Sequence, residues 1–223
     1  MINAQDFKFV AFTSNCRDQD GVFLQKSVLL SIRELDEAAD LWLKDVWDKM
    51  RQSISNYHKT RGGTPGWVSW KPHEWSKAKI PGRQKFVAWS GDVVAGFLFL
   101  RTEFYSEFDK SKQILYVENI ATAPGNKRTN LWCRQLTHVG RALLAFAVLK
   151  SVEHGTSGLL GLHAADHEAY CWYTSLNQNQ GGRLFHPEKT GVAAPQPHLA
   201  EHRPYFETTE SGCIEFLEGY RHE

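Results

Sequence analysis

Basic residues surround the point where a long apolar helix is expected to begin. Lys127 and Arg128 precede this point, Arg134 and Arg141 flank it, and Gly140 leaves the backbone open to a ligand. The first turn of a helix has unpaired N–H groups and the positive end of the helix dipole, so it attracts anions. A polyanion such as a pyrophosphate would fit this turn. From these residues alone, the alternative is an ordinary solvated helix entrance.

A carboxylate lies on the strand that precedes this turn. Glu118 and Tyr116 are two residues apart, so on an extended strand their side chains share a face. Desolvation makes a carboxylate a better proton acceptor, able to take the proton of an ammonium group directly or through water. Desolvation of Glu118 would therefore let this side chain handle protons. The alternative is that it pairs with a basic neighbour in the sheet.

A third group of residues could be interpreted as a metal site. His163, His167 and Cys171 follow one another at spacings of four, which on one continuous helix would place three metal-ligand types on one face. His163 ends a predicted strand, however, and no fourth ligand is evident nearby. We therefore expect hydrogen-bonded histidines and no metal.

Hydrophobic runs show which elements position these residues. A β-rich run from Ile114 to Ile120 ends at the turn formers Pro124-Gly125-Asn126. From about Asn130 to Glu153 apolar residues recur at spacings of three and four, which predicts a helix. Leu159 to His163 predicts a short buried strand, and about Asp166 to Leu176 a second helix.

The remaining pattern favours an α+β domain. Apolar residues from Leu35 to Tyr57 form an amphipathic helical stripe, and Gln84–Ser90 and Val93–Arg101 form a predicted hairpin around Gly91-Asp92. Tyr205–Thr208 and Cys213–Leu217 are expected as late strands. Three successive antiparallel strands before the long helix are typical of an α+β fold.

Three tryptophans stand close together before the hairpin. Trp67, Trp70 and Trp75 lie within nine residues. Their rings could line a pocket that holds a cation over an aromatic face. The favoured alternative is a loop anchored to the core by bulky side chains.

Composition limits the class of protein. The 223 residues are 42% hydrophobic and carry a net charge of +1, so no global field points to nucleic acid or to a membrane. Residues 1–223 are expected to form a single domain. No window reaches the length of about 18 apolar residues that spans a bilayer. Because the four cysteines are scattered, reduced thiols and a cytoplasmic location are expected.

The motifs around the predicted turn resemble a known family. Asn119–Pro124 (NIATAP) with Gln135–Leu144 (QLTHVGRALL) is similar to motif A of the GNAT superfamily of acyl-coenzyme A N-acyltransferases. Gly158–Ala164 (GLLGLHA) with Glu168–Tyr173 (EAYCWY) is similar to the family's fifth strand and following helix. His138 stands where the family has its first loop glycine.

The resemblance implies a fold and a set of site residues. It implies a mixed, mostly antiparallel central sheet flanked by helices, with residues 1–83 shaping the acceptor side and 84–223 forming the coenzyme-binding core and the C-terminal strands. Glu118 would be the base, and Tyr173 the acid that protonates the leaving thiolate, because a phenol stays protonated at neutral pH. The implied coenzyme-binding residues are Ile120, Ala121, Thr122, Gln135, His138, Val139, Gly140, Arg141, Ala142 and Asp166.

The resemblance also implies an activity. The chain would transfer an acetyl or short acyl group from acetyl-CoA directly to a primary amine of a small molecule or a protein. The alternative is a non-catalytic acyl-CoA-binding or regulatory module on the same fold. No nucleic-acid, membrane or metal partner is expected.

Overall fold

The computed structural model describes residues 7–13, 16–17, 23–24, 26–59, 71–126, 136–193 and 203–221. Within these residues the strands are β1 (Val10–Thr13), β2 (Cys16–Arg17), β3 (Phe23–Leu24), β4 (Ser27–Leu29), β5 (Ser31–Glu34), β6 (Arg83–Ser90), β7 (Val93–Tyr105), β8 (Gln113–Thr122), β9 (Leu136–Thr137), β10 (Leu160–His163) and β11 (Tyr205–Glu207). The helices are α1 (Glu37–Trp42), α2 (Asp48–Lys59), α3 (Pro72–Lys77), α4 (Val139–Glu153), α5 (His167–Asn179) and α6 (Glu210–Glu218).

Two short helical pieces complete the chain order. A π-helical turn, Leu43–Trp47, joins α1 to α2, and a 3-10 turn, Pro124–Asn126, follows β8. Across the described ranges, no helix combines the length and apolarity required to cross a bilayer.

A six-stranded sheet forms the centre of the molecule. Its strand order is β11-β10-β8-β7-β6-β5, and every neighbouring pair is antiparallel except β8 with β10. A smaller sheet, β4-β1-β9, ties the N-terminal strand to the residues just before α4. The predicted fold class, a mixed and mostly antiparallel sheet flanked by helices, is confirmed.

Each face of the central sheet packs on its own helices. Leu98 and Val117 belong to the core on the α4 side, where α4 buries most of its length. Phe97 and Phe99 point to the opposite face, where they pack with Leu43 of the π-turn. This alternation follows from the two-residue period of a strand.

Most of the predicted elements form. The stripe from Leu35 to Tyr57 becomes α1, the π-turn and α2, and Asp36 caps α1 by accepting a hydrogen bond from the Ala39 N–H at 2.8 Å. The hairpin turns at Gly91 with a φ of +58°, which glycine adopts readily. The late strand Tyr205–Thr208 is present as β11.

The predicted strand Cys213–Leu217 is wrong, because this segment lies in α6. The Thr209 hydroxyl caps the helix by accepting from the Gly212 N–H at 3.0 Å. Cys213, Phe216 and Leu217 are buried, and their spacing of three and four defines the inner face of a helix. Cys213–Leu217 taken alone resembles a strand. Thr209, whose side chain caps the helix, lies outside this run.

The predicted start of the long helix near Asn130 is also wrong. Leu136–Thr137 forms β9, which pairs with β1, and the helix begins only at Val139. The segment between the 3-10 turn and β9 lies outside the described residues. A strand partner more than 120 residues away in the chain therefore decides where α4 begins.

A substitution at Gly212 would test how closely α6 packs against the backbone of Arg183 and Leu184. A Cβ on Gly212 would lie 2.2 Å from the carbonyl oxygen of Arg183 and 2.6 Å from Cα of Leu184. Because both contacts are backbone atoms, we expect Gly212→Ala to lower the free energy of unfolding in urea by about 3 kcal/mol. Gly219→Ala is the matched control, since its nearest contact is 3.5 Å away. Equal losses in the two variants would contradict the packing described.

Candidate active site

The sheet opens between β8 and β10. The two strands pair from Leu115 with Leu160 to Val117 with Leu162, and the pairing then stops. On its other side β8 continues to pair with β7 as far as Thr122. The second half of β8 therefore has no strand on the β10 side within the described ranges. Such an edge offers its backbone N–H and C=O groups to a ligand.

A cleft of about 470 Å³ lies beside this edge. It is enclosed by the end of β8, the start of α4 and one face of α5. Eight of the predicted coenzyme-binding residues line it: Ile120, Ala121, Thr122, His138, Val139, Gly140, Arg141 and Asp166. Ala142 is instead fully buried in the core. Gln135 lies outside the described residues, as do Lys127, Arg128 and Arg134.

The start of α4 faces the cleft. His138 precedes the helix in the left-handed conformation, with a φ of +65°, and no side chain caps the helix there. A glycine would adopt this angle without cost, whereas another residue loses about 1 kcal/mol. The backbone thus has a conformation that favours glycine, although the residue is a histidine. The His138 ring packs edge-on against Phe12, with ring centroids 5.3 Å apart.

Gly140 places no side chain between the start of α4 and the indole of Trp172. A Cβ on Gly140 would lie 3.4 Å from the indole of Trp172 on α5, an ordinary contact. Arg141 places its guanidinium 5.4 Å from the centroid of the Phe216 ring. Asp166 caps α5 by accepting from the Ala169 N–H at 2.8 Å. The start of α4, which no side chain caps, is suited to an anion.

Tyr173 lies on the wall of the cleft that α5 provides. Its ring is 4% exposed and packs against Phe185 and Phe206. Burial raises the pKa of this phenol above its usual value, so the hydroxyl stays protonated. The hydroxyl forms no hydrogen bond with another residue in the described part of the chain. Tyr170 differs, because its hydroxyl bonds to Glu188, which raises the pKa of Tyr170.

Glu118 sits at a β-bulge in β8. In the pairing with β7, Asn119 lies opposite Phe99 and Val117 lies opposite Leu100, so the register skips Glu118. Bulges re-aim side chains and often lie next to active sites. Glu118 thus interrupts the β7 ladder immediately after the last residue that pairs with β10.

The Glu118 carboxylate is engaged by Arg83 of β6. Nε and Nη2 of Arg83 donate to its two oxygens, each at 2.5 Å, and the side chains are only 5% and 2% exposed. Arg83 also donates to the carbonyl oxygen of Trp75 at 3.1 Å, which ties α3 to the sheet. Of the two interpretations left open by the sequence, pairing with a basic neighbour is the one formed. Trp67 and Trp70 lie outside the described residues.

The histidines of the metal interpretation have other partners. Nε2 of His163 lies 3.0 Å from the carbonyl oxygen of Val192, so this nitrogen must carry the proton and donate. Nδ1 then accepts from the Tyr116 hydroxyl at 2.8 Å. His167 lies 3.4 Å from Cys171 on the exposed side of α5. The described residues contain no cluster of three or more metal-ligand side chains.

Arg83 was not identified from the sequence. The sequence feature that could have identified it is the alternation along β6, which places Arg83 and Lys85 on the same face as Val87. That face also carries Glu118, 35 residues further along the chain. Only the register between β6, β7 and β8 shows that the two charges meet.

The buried pair can be measured with a double-mutant cycle. Glu118→Gln leaves the Arg83 guanidinium buried without its counter-charge, so we expect a loss of about 3 to 5 kcal/mol in the free energy of unfolding. Arg83→Gln should cost a similar amount, and the double variant should cost clearly less than the sum. Strictly additive losses in urea unfolding would show that the two side chains do not interact.

Comparisons with known proteins find structural neighbours alone. No protein-family model matches the chain, and no curated protein is significantly similar to it. PaiA N-acetyltransferase from Thermoplasma acidophilum, solved with coenzyme A, has 12% identity and a TM-score of 0.45, over 80% of this chain and 98% of that one. Ribosomal-protein-S18-alanine N-acetyltransferase from Escherichia coli has 15% identity and a TM-score of 0.41, over 80% and 90%.

Another neighbour has a different description. A transcriptional regulator from Bacillus halodurans has 18% identity and a TM-score of 0.41, covering 78% of this chain and 99% of its own. Solved acetyltransferases are thus among the structures that the chain resembles. At these identities and scores, the function has to be inferred from the cleft itself.

Proposed function

We propose that this chain is an N-acyltransferase that moves an acetyl or short acyl group from acetyl-CoA directly to a primary amine. One observation carries the proposal: β8 parts from β10 beside a helix start that no side chain caps. The unpaired strand edge suits the amide groups of a pantetheine arm, and the helix start suits a pyrophosphate. Residues 1–83 would shape the acceptor side, and 84–223 would hold the coenzyme.

The groups that line the cleft support the proposal. The N–H groups of Val139, Gly140 and Arg141 belong to the first turn of α4, where helical N–H groups lack partners within the helix. Ile120 to Thr122 would face the pantetheine arm along the edge of β8. Because this arm would bond to the strand edge, the thioester would lie near the bulge at Glu118.

Tyr173 is the proposed acid. When the amine nitrogen attacks the thioester carbonyl carbon, a C–N bond forms and the C–S bond breaks. The departing sulfur then needs a proton, and the protonated Tyr173 hydroxyl in the cleft wall can supply it. The tyrosinate that remains regains a proton from the amine nitrogen or from solvent.

Glu118 is the proposed base, with a condition that its pairing imposes. Its negative charge can attract an ammonium group while Arg83 is bound to it. To accept the ammonium proton, the carboxylate must give up at least one hydrogen bond from Arg83, or pass the proton through water. An arriving cation, which competes with Arg83 for the carboxylate, favours that release.

A non-catalytic acyl-CoA-binding module is the second candidate. The observation that favours it is the Arg83–Glu118 pair, because both oxygens of the candidate base are occupied in the described conformation. In such a module the cleft would bind the acyl-coenzyme and the bulge would be purely structural. Binding and thiol release distinguish the two candidates.

Gly140 tests the coenzyme site. Gly140→Asp places a carboxylate where the pyrophosphate would bind, although an acid at a helix N-terminus does not harm the helix. We expect the dissociation constant for acetyl-CoA, measured by isothermal titration, to rise at least tenfold. Gly140→Ala is the matched control, because its Cβ makes only ordinary contacts, and it should change the constant less than about threefold. Absence of acetyl-CoA binding by the unaltered protein would exclude both candidate functions.

Tyr173 tests the catalytic proposal. Tyr173→Phe should lower kcat for thiol release about 100-fold, because it removes a general acid, while Tyr170→Phe on the same helix should leave kcat unchanged. Since the pKa of Tyr173 is raised above 10, its acid form persists to high pH. The pH profile of kcat should therefore show no decline between about pH 7 and 9. A full kcat in Tyr173→Phe would reject the assigned role.

A further inference from the structure

A row of side chains crosses the sheet next to the opening. Arg101 of β7 lies directly opposite Arg83 of β6 on one side and Tyr116 of β8 on the other. Directly opposed residues project from the same face with Cβ atoms about 5 Å apart. By strand alternation this is the face that carries Phe97 and Phe99, away from α4.

The two arginines of this row differ in their partners. Glu118 takes both of its hydrogen bonds from Arg83. Arg101 forms no hydrogen bond or ion pair with another described residue, and its Nε is buried without a partner among them. Its guanidinium lies 5.3 Å from the centroid of the Phe104 ring. A buried N–H of a charged group that lacks an acceptor is costly, and a ligand anion would remove that cost.

Glu207, a buried carboxylate elsewhere on the sheet, is already used. It is 1% exposed and accepts hydrogen bonds from the Ser106 hydroxyl, the Tyr205 hydroxyl and the Glu107 N–H. It therefore has little capacity left for a further cation. Among the described residues of the row, Arg101 is therefore the cation that has no hydrogen-bonded counter-charge.

The position of Arg101 relates this charge to the proposed reaction. Its neighbour Tyr116 immediately precedes Val117, the last residue of β8 that pairs with β10. Burial raises the pKa of Tyr116, and the Arg101 charge acts in the opposite direction, as expected for a cation close to the phenol. Arg101 thus lies one strand away from the opening, on the sheet face opposite the α4 core.

We infer that Arg101 binds a carboxylate of the acceptor, so that the acceptor is an amine that also carries a carboxylate, such as an amino acid or a peptide. This inference rests on the proposed acyltransferase function. A guanidinium binds a carboxylate through two parallel hydrogen bonds. A single guanidinium matches a carboxylate monoanion better than a phosphate dianion. The acceptor ammonium would then lie toward Glu118, which is on the same face.

The experiment compares acids with their amides. Thiol release from acetyl-CoA is measured with the common amino acids and with their α-amides, using the unaltered protein, Arg101→Gln, Arg101→Lys and Arg183→Gln. Arg183 is the matched control, because its side chain is 65% exposed and it pairs with Glu215 at 2.9 Å. Thermal unfolding of each variant verifies that it folds.

The expected result is a preference that depends on Arg101. The unaltered protein should use the acid form of its best substrate with a kcat/KM at least tenfold above that of the amide, as expected for a charge-assisted hydrogen bond. Arg101→Gln should abolish this ratio, Arg101→Lys should retain part of it, and Arg183→Gln should retain all of it. Equal use of acids and amides, or a ratio unaffected by Arg101→Gln, would overturn the inference.

A binding arm separates this inference from the proposed function. Isothermal titration compares the products, N-acetyl amino acids, with their amides in the presence of coenzyme A. Selective binding of the acids that is lost in Arg101→Gln supports the inference even when turnover is absent. Equal binding of acids and amides, or binding of neither, contradicts it. Failure of the coenzyme proposal would appear separately, as no binding of acetyl-CoA.

Discussion

The rest of the site depends on one constraint: β8 keeps one neighbouring strand along its whole length and loses the other after Val117. Backbone N–H and C=O groups that lose a ladder partner must find another, and near the core a ligand can provide it. The bulge at Glu118 follows directly after this point. Val117 is therefore the last residue of β8 that pairs with β10. Glu118, the next residue, is the one that leaves the ladder with β7.

The buried Arg83–Glu118 pair connects this opening to β6 and to α3. Arg83 reaches from β6 past β7 to the bulge, and it also holds the C-terminal end of α3 through the carbonyl oxygen of Trp75. Lys85 adds a second bond from the same strand, to the carbonyl oxygen of Ser76. Any ligand that weakens the pair would thus act on both β8 and α3. Because a buried ion pair contributes little net stability, its value here is in fixing this arrangement.

Local pattern predicted the elements that are long and periodic, and failed where distant pairing decides the outcome. The hairpin β6–β7, the strand β8 and the helix α5 all follow from hydrophobic period and turn residues. The start of α4 does not, because Leu136 pairs with Thr13 of β1. The partner of Glu118 is 35 residues away, and the lack of an acceptor for Arg101 Nε among the described residues depends on the surrounding strands. No local pattern contains such information.

The turn before α4 shows how a sequence motif and its geometry can separate. His138 stands where the motif that the sequence resembles has a glycine, and it adopts a left-handed backbone, with a φ of +65°, that glycine adopts most readily. The cost of about 1 kcal/mol is small beside the constraints on both sides. Thr137 is paired with Phe12 in β1, and Ala142 N–H closes the first helical turn on the His138 carbonyl at 2.9 Å. The position therefore combines an imidazole beside the helix start with a backbone conformation that favours glycine.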